Sequence, residues 1–132
     1  MKETNAAAFT QRMQLDLAKL AKLTDYHTVL YTGKCQITHR HLMPDEYIPE
    51  EVHEVDQIFQ ILDGRAIIVV NGKVQSYDST EECIVSAGQS HMVRPFPNNH
   101  VSLISFYSSP LHPAGEVEKR GPKFPEPELA HR

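Results

Sequence analysis

Ala66-Ile-Ile-Val-Val-Asn-Gly-Lys-Val-Gln-Ser-Tyr77 is the stretch that decides the fold class. Two runs of β-branched and aromatic residues flank Asn71-Gly72. A two-residue type I′ turn needs positive φ at both central positions, which Asn and Gly tolerate. The stretch therefore predicts a β-hairpin, 66–70 against 73–77. Outward from it the same texture recurs, with short strands expected at 27–32, 36–43, 57–62, 65–70, 82–85, 91–94 and 100–107. Turn signals at Thr32-Gly-Lys34, Met43-Pro-Asp-Glu46, Asp63-Gly64, Asp78-Ser79 and Ala87-Gly88 separate them. Many short strands at regular spacing predict an all-β fold, a small antiparallel β-barrel, because closure leaves no long exposed edge.

The ends read differently. Ala6–Ala8 and the helical spacing of Leu15, Ala18, Leu20 and Leu23 predict a helix over 5–23. From Ser109 onward, Pro110, Pro113, Pro122, Pro125 and Pro127 remove backbone donors, so this segment cannot be a central strand or helix. The expected organisation is an N-terminal helix or arm (1–24), a barrel (25–108) and a proline-rich tail (109–132). At 132 residues the chain is one domain by size.

Composition excludes several functions. A net charge of −4 without a lysine–arginine run argues against nucleic-acid binding. No apolar run approaches the roughly 18 residues that would span a bilayer, so no membrane partner is expected. With no secretory pattern at the N-terminus, the expected location is cytoplasmic. Cys35 and Cys83 have no metal or redox spacing and read as two reduced thiols. Eight histidines and nine prolines are the composition's pointers to a site.

Two segments concentrate those histidines. In Glu50-Glu-Val-His-Glu-Val-Asp-Gln57, Glu51, His53 and Gln57 share one parity on an extended chain. In Pro95-Phe-Pro-Asn-Asn-His100 a constrained turn delivers His100 to the next strand. His39 and His41 share a strand face, with Arg40 on the other; turned inward, they would join Glu51 as candidate catalytic groups. His27, His112 and His131 have no neighbour in sequence that supports a role.

These residues resemble the cupin superfamily, in particular its short single-domain bacterial members. The first cupin motif is glycine, five residues, His-x-His, three or four residues, glutamate, six residues, glycine. Asp45, Glu51, His53, Gln57 and Gly64 meet that spacing, and His53 and Gly64 keep the usual identity. The second motif is glycine, five residues, Pro-x-Gly, two residues, histidine, three residues, asparagine. Gly88, Pro95, Pro97, His100 and Ile104 are read onto it with one extra residue after Gly88. The flanks Leu30-Tyr-Thr-Gly-Lys34 and Phe106-Tyr-Ser-Ser-Pro110 also look like those of that branch.

The resemblance implies a divalent metal (Fe, Mn, Ni or Zn) on Glu51, His53, Gln57 and His100. It also implies a small-molecule substrate or ligand, and pairing of the chain as a homodimer. The function expected is that of a metal-dependent dioxygenase, isomerase or lyase, or of a metal-free barrel that binds or senses a small ligand. Gln57, a neutral amide where the family has a carboxylate, speaks for the second.

Overall fold

The computed structural model describes residues 17–125. Of the helix expected over 5–23, residues 5–16 lie outside the described residues, as does His131. One turn, α1 (Leu17–Leu20), is helical. Nine strands follow: β1 (His27–Thr32), β2 (Gln36–Leu42), β3 (Ile48–Val52), β4 (Gln57–Val70), β5 (Lys73–Asp78), β6 (Glu82–Val85), β7 (Ser90–Pro95), β8 (Val101–Tyr107) and β9 (Val117–Glu118). All their pairings are antiparallel.

The first half of β4 pairs with β6 and β8, and its second half with β5 and β7. Two curled sheets, β6-β4-β8-β2-β1-β9 and β3-β7-β4-β5, thus share one long strand. Asp63-Gly64, expected as a turn between two strands, is instead the kink that carries β4 from one sheet into the other. The register shifts between Ile61 and Asp63, and Gly64 takes φ +83°. A Cβ there would fall on the His100 carbonyl oxygen, so only glycine allows the two backbones to approach. The hairpin read from Asn71-Gly72 is present, with φ of 49° and 80°.

β3 lies outside the strands expected from the sequence. Its place at the edge of the second sheet makes Pro49 tolerable, since an edge strand has one side free of ladder bonds.

Leu42, Phe59, Ile61, Val101 and Leu103 from one sheet meet Ile48, Ala66, Ile68 and Val93 from the other in a single core. Each such side chain contributes roughly 1.5–3 kcal/mol by leaving water. After β8 the chain returns along β1. Buried Gln36 holds this return: its Oε1 accepts from Leu111 N and His112 N (both 2.9 Å), and its Nε2 donates to His112 O at 2.8 Å. Buried Glu46 holds the following stretch by accepting from Met43 N at 2.9 Å and Gly121 N at 2.8 Å. No helix among the described residues is long and apolar enough to cross a membrane.

Candidate functional site

Strand parity determines what enters the barrel. On β2, β4 and β8 the core residues Leu42, Phe59, Ile61, Leu103 and Val101 share their face with Gln36, Arg40, Gln57 and Tyr107; Tyr107 stands opposite both Gln36 and Gln57, and Arg40 opposite Leu103. On β7 the core residue Val93 shares its face with His91. On β3 the register shifts between Ile48 and Glu51, so Glu51 comes to lie opposite His91 while Ile48 lies opposite Val93. The bulge therefore keeps Glu51 on the inner side. Just beyond β3, His53 is only 12% exposed.

The result is a polar group at one end of an apolar interior. His53 Nε2 lies 3.0 Å from Glu51 Oε2. The His53 ring sits 4.9 Å from His91 and 6.3 Å from Tyr107. The Nδ1–H of His91 donates to Gln89 O at 3.2 Å, since a carbonyl can only accept. The other nitrogen of that ring, Nε2, is buried without a partner, and so is Gln57 Oε1. An unpaired buried polar atom costs about 1–3 kcal/mol, and these two belong to different sheets, Gln57 on β4 between β6 and β8 and His91 on β7 opposite Glu51.

The structure brings Glu51 and His53 together, on the same inner side as Gln57, but His100 is elsewhere. β8 lies along β4 with Val101 opposite Gly64 and Tyr107 opposite Gln57. At about 3.3 Å per residue, His100 and Gln57 are near opposite ends of that pair, roughly 20 Å apart. His100 is 52% exposed, 3.3 Å from Asp63 Oδ2, and stacked on the His41 ring at 5.4 Å. The imidazole beside His53 is His91, which the sequence reading did not include.

His39 and His41 are likewise on the other face of β2. His39 Nε2 is 2.7 Å from Ser102 Oγ. The inward residue is Arg40, only 5% exposed. Among the described residues no carboxylate lies within ion-pair distance of it, and its Nε has no acceptor. The Tyr26 ring lies 5.0 Å from its guanidinium carbon.

Burial and this cation dominate the site's electrostatics. Burial lowers His53, with Glu51 pulling the other way. Burial, then Arg40, pushes His27 down to about 2 and His112 to about 4. Burial, then His41, takes His39 to about 4. Burial raises the Tyr107 phenol. The imidazoles so depressed are neutral at pH 7, the form that accepts a proton or a metal.

Solved structures share this architecture. A Bacillus halodurans protein superimposes with a TM-score of 0.77 at 23% identity, over 81% of this chain and 88% of its own. A cupin superfamily protein of Desulfitobacterium hafniense gives 0.63 at 20% identity, over 74% and 91%. A cupin domain of Schizosaccharomyces pombe gives 0.58 at 17% identity, over 64% of each chain. The chain has the cupin fold. No family model and no curated protein matches the sequence.

The residues read onto the first cupin motif, Asp45 to Gly64, run from the turn before β3 to the kink of β4. The second is better met one strand earlier, by Thr80, Ser86-Ala-Gly88, His91 and Pro95. That register needs no extra residue and keeps both the second glycine and the histidine. Thr80 stands at the motif's first glycine and adopts φ +77°, the left-handed conformation for which glycine is suited. The spacing Gly88-x-x-His91 was the signal that could have found the second histidine.

Proposed function

We propose that this chain is a small-molecule cupin whose barrel interior holds a divalent metal on His53, His91, Glu51 and Gln57, beside Arg40 as the seat for an anionic group of the substrate. What carries this reading is the pair of buried, partnerless acceptors, His91 Nε2 and Gln57 Oε1, on inward-facing strand positions, with the His91 ring 4.9 Å from His53 and Glu51 opposite it. Two imidazoles, a carboxylate and an amide oxygen suit Fe(II), Mn(II), Ni(II) or Zn(II). When bound, such an ion supplies Lewis-acid polarisation of a substrate oxygen. The Gln89 carbonyl holds the His91 tautomer and ring orientation. Arg40 orients a carboxylate or phosphate through its fork of donors. Tyr107, buried and held protonated, can donate a hydrogen bond to the same ligand.

One observation favours a metal-free ligand barrel instead: Glu51 and His53 already satisfy each other at 3.0 Å, and Gln57 carries no charge. Titration of metal-stripped protein with Fe(II), Mn(II), Ni(II) and Zn(II) separates the two. The metal reading expects His53→Ala and His91→Ala each to abolish one binding event, His100→Ala to preserve it, and Gln57→Glu to tighten it. Wild-type affinity in His53→Ala and His91→Ala would leave the ligand barrel standing.

A further inference from the structure

Among the described residues, one group of three ligating side chains has donor atoms that all lie within 4.8 Å of one another: His27, His112 and Glu116. None belongs to either cupin motif. His27 opens β1, whereas His112 and Glu116 lie on the segment that returns after β8.

This group is held in place by its surroundings. The two amide N–H groups of Leu111 and His112 are fixed on the buried Gln36 side chain, at 2.9 Å each. Val29 N donates to Glu116 O at 2.9 Å, and β9 then pairs Val117 with Thr28 and Glu118 with His27. The Tyr107 hydroxyl lies 3.3 Å from His112 Nε2 and orients that ring. The two imidazoles meet edge to face, with centroids 4.5 Å apart.

The second observation is His27 itself. Its side chain is 0% exposed, and its Nδ1 lies 3.2 Å from Glu118 Oε1, to which it donates. Its Nε2 is buried and has no partner. A carboxylate that takes the proton of one ring nitrogen leaves the other as a lone pair of fixed direction, which is how proteins orient a metal-binding imidazole.

We propose that His27, His112 and Glu116 form a second divalent-metal site, of zinc type, that clasps the returning segment 111–118 onto β1, at the β9 edge of the sheet. Two imidazoles and one carboxylate supply three ligands of the kind zinc takes, and leave a fourth position to water or a ligand. Because the ligands come from the two ends of the barrel sequence, binding ties the closure of that edge to the metal. The site does not depend on the interior reading; the Tyr107 ring neighbours both, at 5.4 Å from His112 and 6.3 Å from His53.

The test is calorimetric titration of the metal-stripped full chain with Zn(II), using a His53→Ala/His91→Ala background to remove the interior site. One zinc equivalent should survive in that background. It should weaken at least 100-fold on adding either His112→Ala or Glu116→Gln, and about 10- to 100-fold on adding Glu118→Gln, which removes only the orienting carboxylate. Glu116→Gln is isosteric and partly exposed, and its metal-free melting temperature should match that of the background. Zinc should then raise the melting temperature of the background but not of the Glu116→Gln variant. Unchanged zinc affinity in both His112→Ala and Glu116→Gln overturns the proposal, as does loss of all zinc binding in the background. Failure of the interior reading looks different: wild type and background would then bind the same single equivalent.

Discussion

Replacing Arg40 by methionine separates a binding role from a structural one, because the two predict opposite signs in the ligand-free protein. Arg40 is 5% exposed, with no carboxylate within ion-pair distance among the described residues. Burying an ion costs several kcal/mol even after relaxation. The partnerless Nε adds about 1–3 kcal/mol. Against this stands the Tyr26 ring at 5.0 Å, worth about 2 kcal/mol. Methionine keeps most of the apolar stem's packing. The balance predicts that metal-free, ligand-free Arg40→Met is more stable than wild type by about 1–3 kcal/mol, in line with other buried charges replaced by apolar groups. For a chain of this length that is about 4 °C in Tm per kcal/mol. Thermal and urea unfolding measure it. The same variant should bind oxalate or inorganic phosphate at least about 10-fold more weakly, the worth of one charged hydrogen bond. A variant less stable by 1 kcal/mol or more, with anion binding intact, would refute the reasoning and make Arg40 a structural residue.

Gly64→Ala should cost at least about 2 kcal/mol in urea unfolding, because a Cβ at φ +83° meets the His100 carbonyl; a loss under 0.5 kcal/mol contradicts the kink. His27, His39 and His112 are held neutral in the fold, at about 2, 4 and 4, but titrate near 6.5 when unfolded. The unfolded chain therefore binds the extra protons below pH 6.5. Metal-free stability should be full above that pH and fall on acidification by up to about 1.4 kcal/mol per unit for each ring. Equal urea midpoints at pH 7.5 and 5.5 would contradict it. Ile58 and Ile84 stand opposite each other on an outer sheet face, 36% and 69% exposed. Light scattering should give twice the 15.0 kDa chain mass, and Ile84→Glu the chain mass itself; a monomeric wild type ends that expectation.

Local chemistry made the strands legible. Asn71-Gly72 announces its hairpin because few other pairs accept two positive φ angles. Alternation in Thr38, His39, Arg40 and His41 shows that Arg40 opposes the two histidines, since a strand's period is two whatever surrounds it. The motif spacing placed His53 and Glu51 for the same reason: both lie on one short extended stretch.

The inward face was not legible. Whether Arg40 or the histidine pair enters the barrel depends on which side of β2 meets the core across β8, and a two-fold period is silent on that choice. The bulge between Ile48 and Glu51 shifts parity by one residue with no signature in the sequence. His91 was passed over for His100 because both lie downstream of Gly88 within reach of the second motif, and only the pairing of β7 with β3 brings one of them opposite Glu51. His27, His112 and Glu116 meet only because β9 returns to β1 and Gln36 grips the chain on the way. Contacts between the two ends of a chain leave no period to read. They are decided by how the sheets close, which is a property of the whole fold.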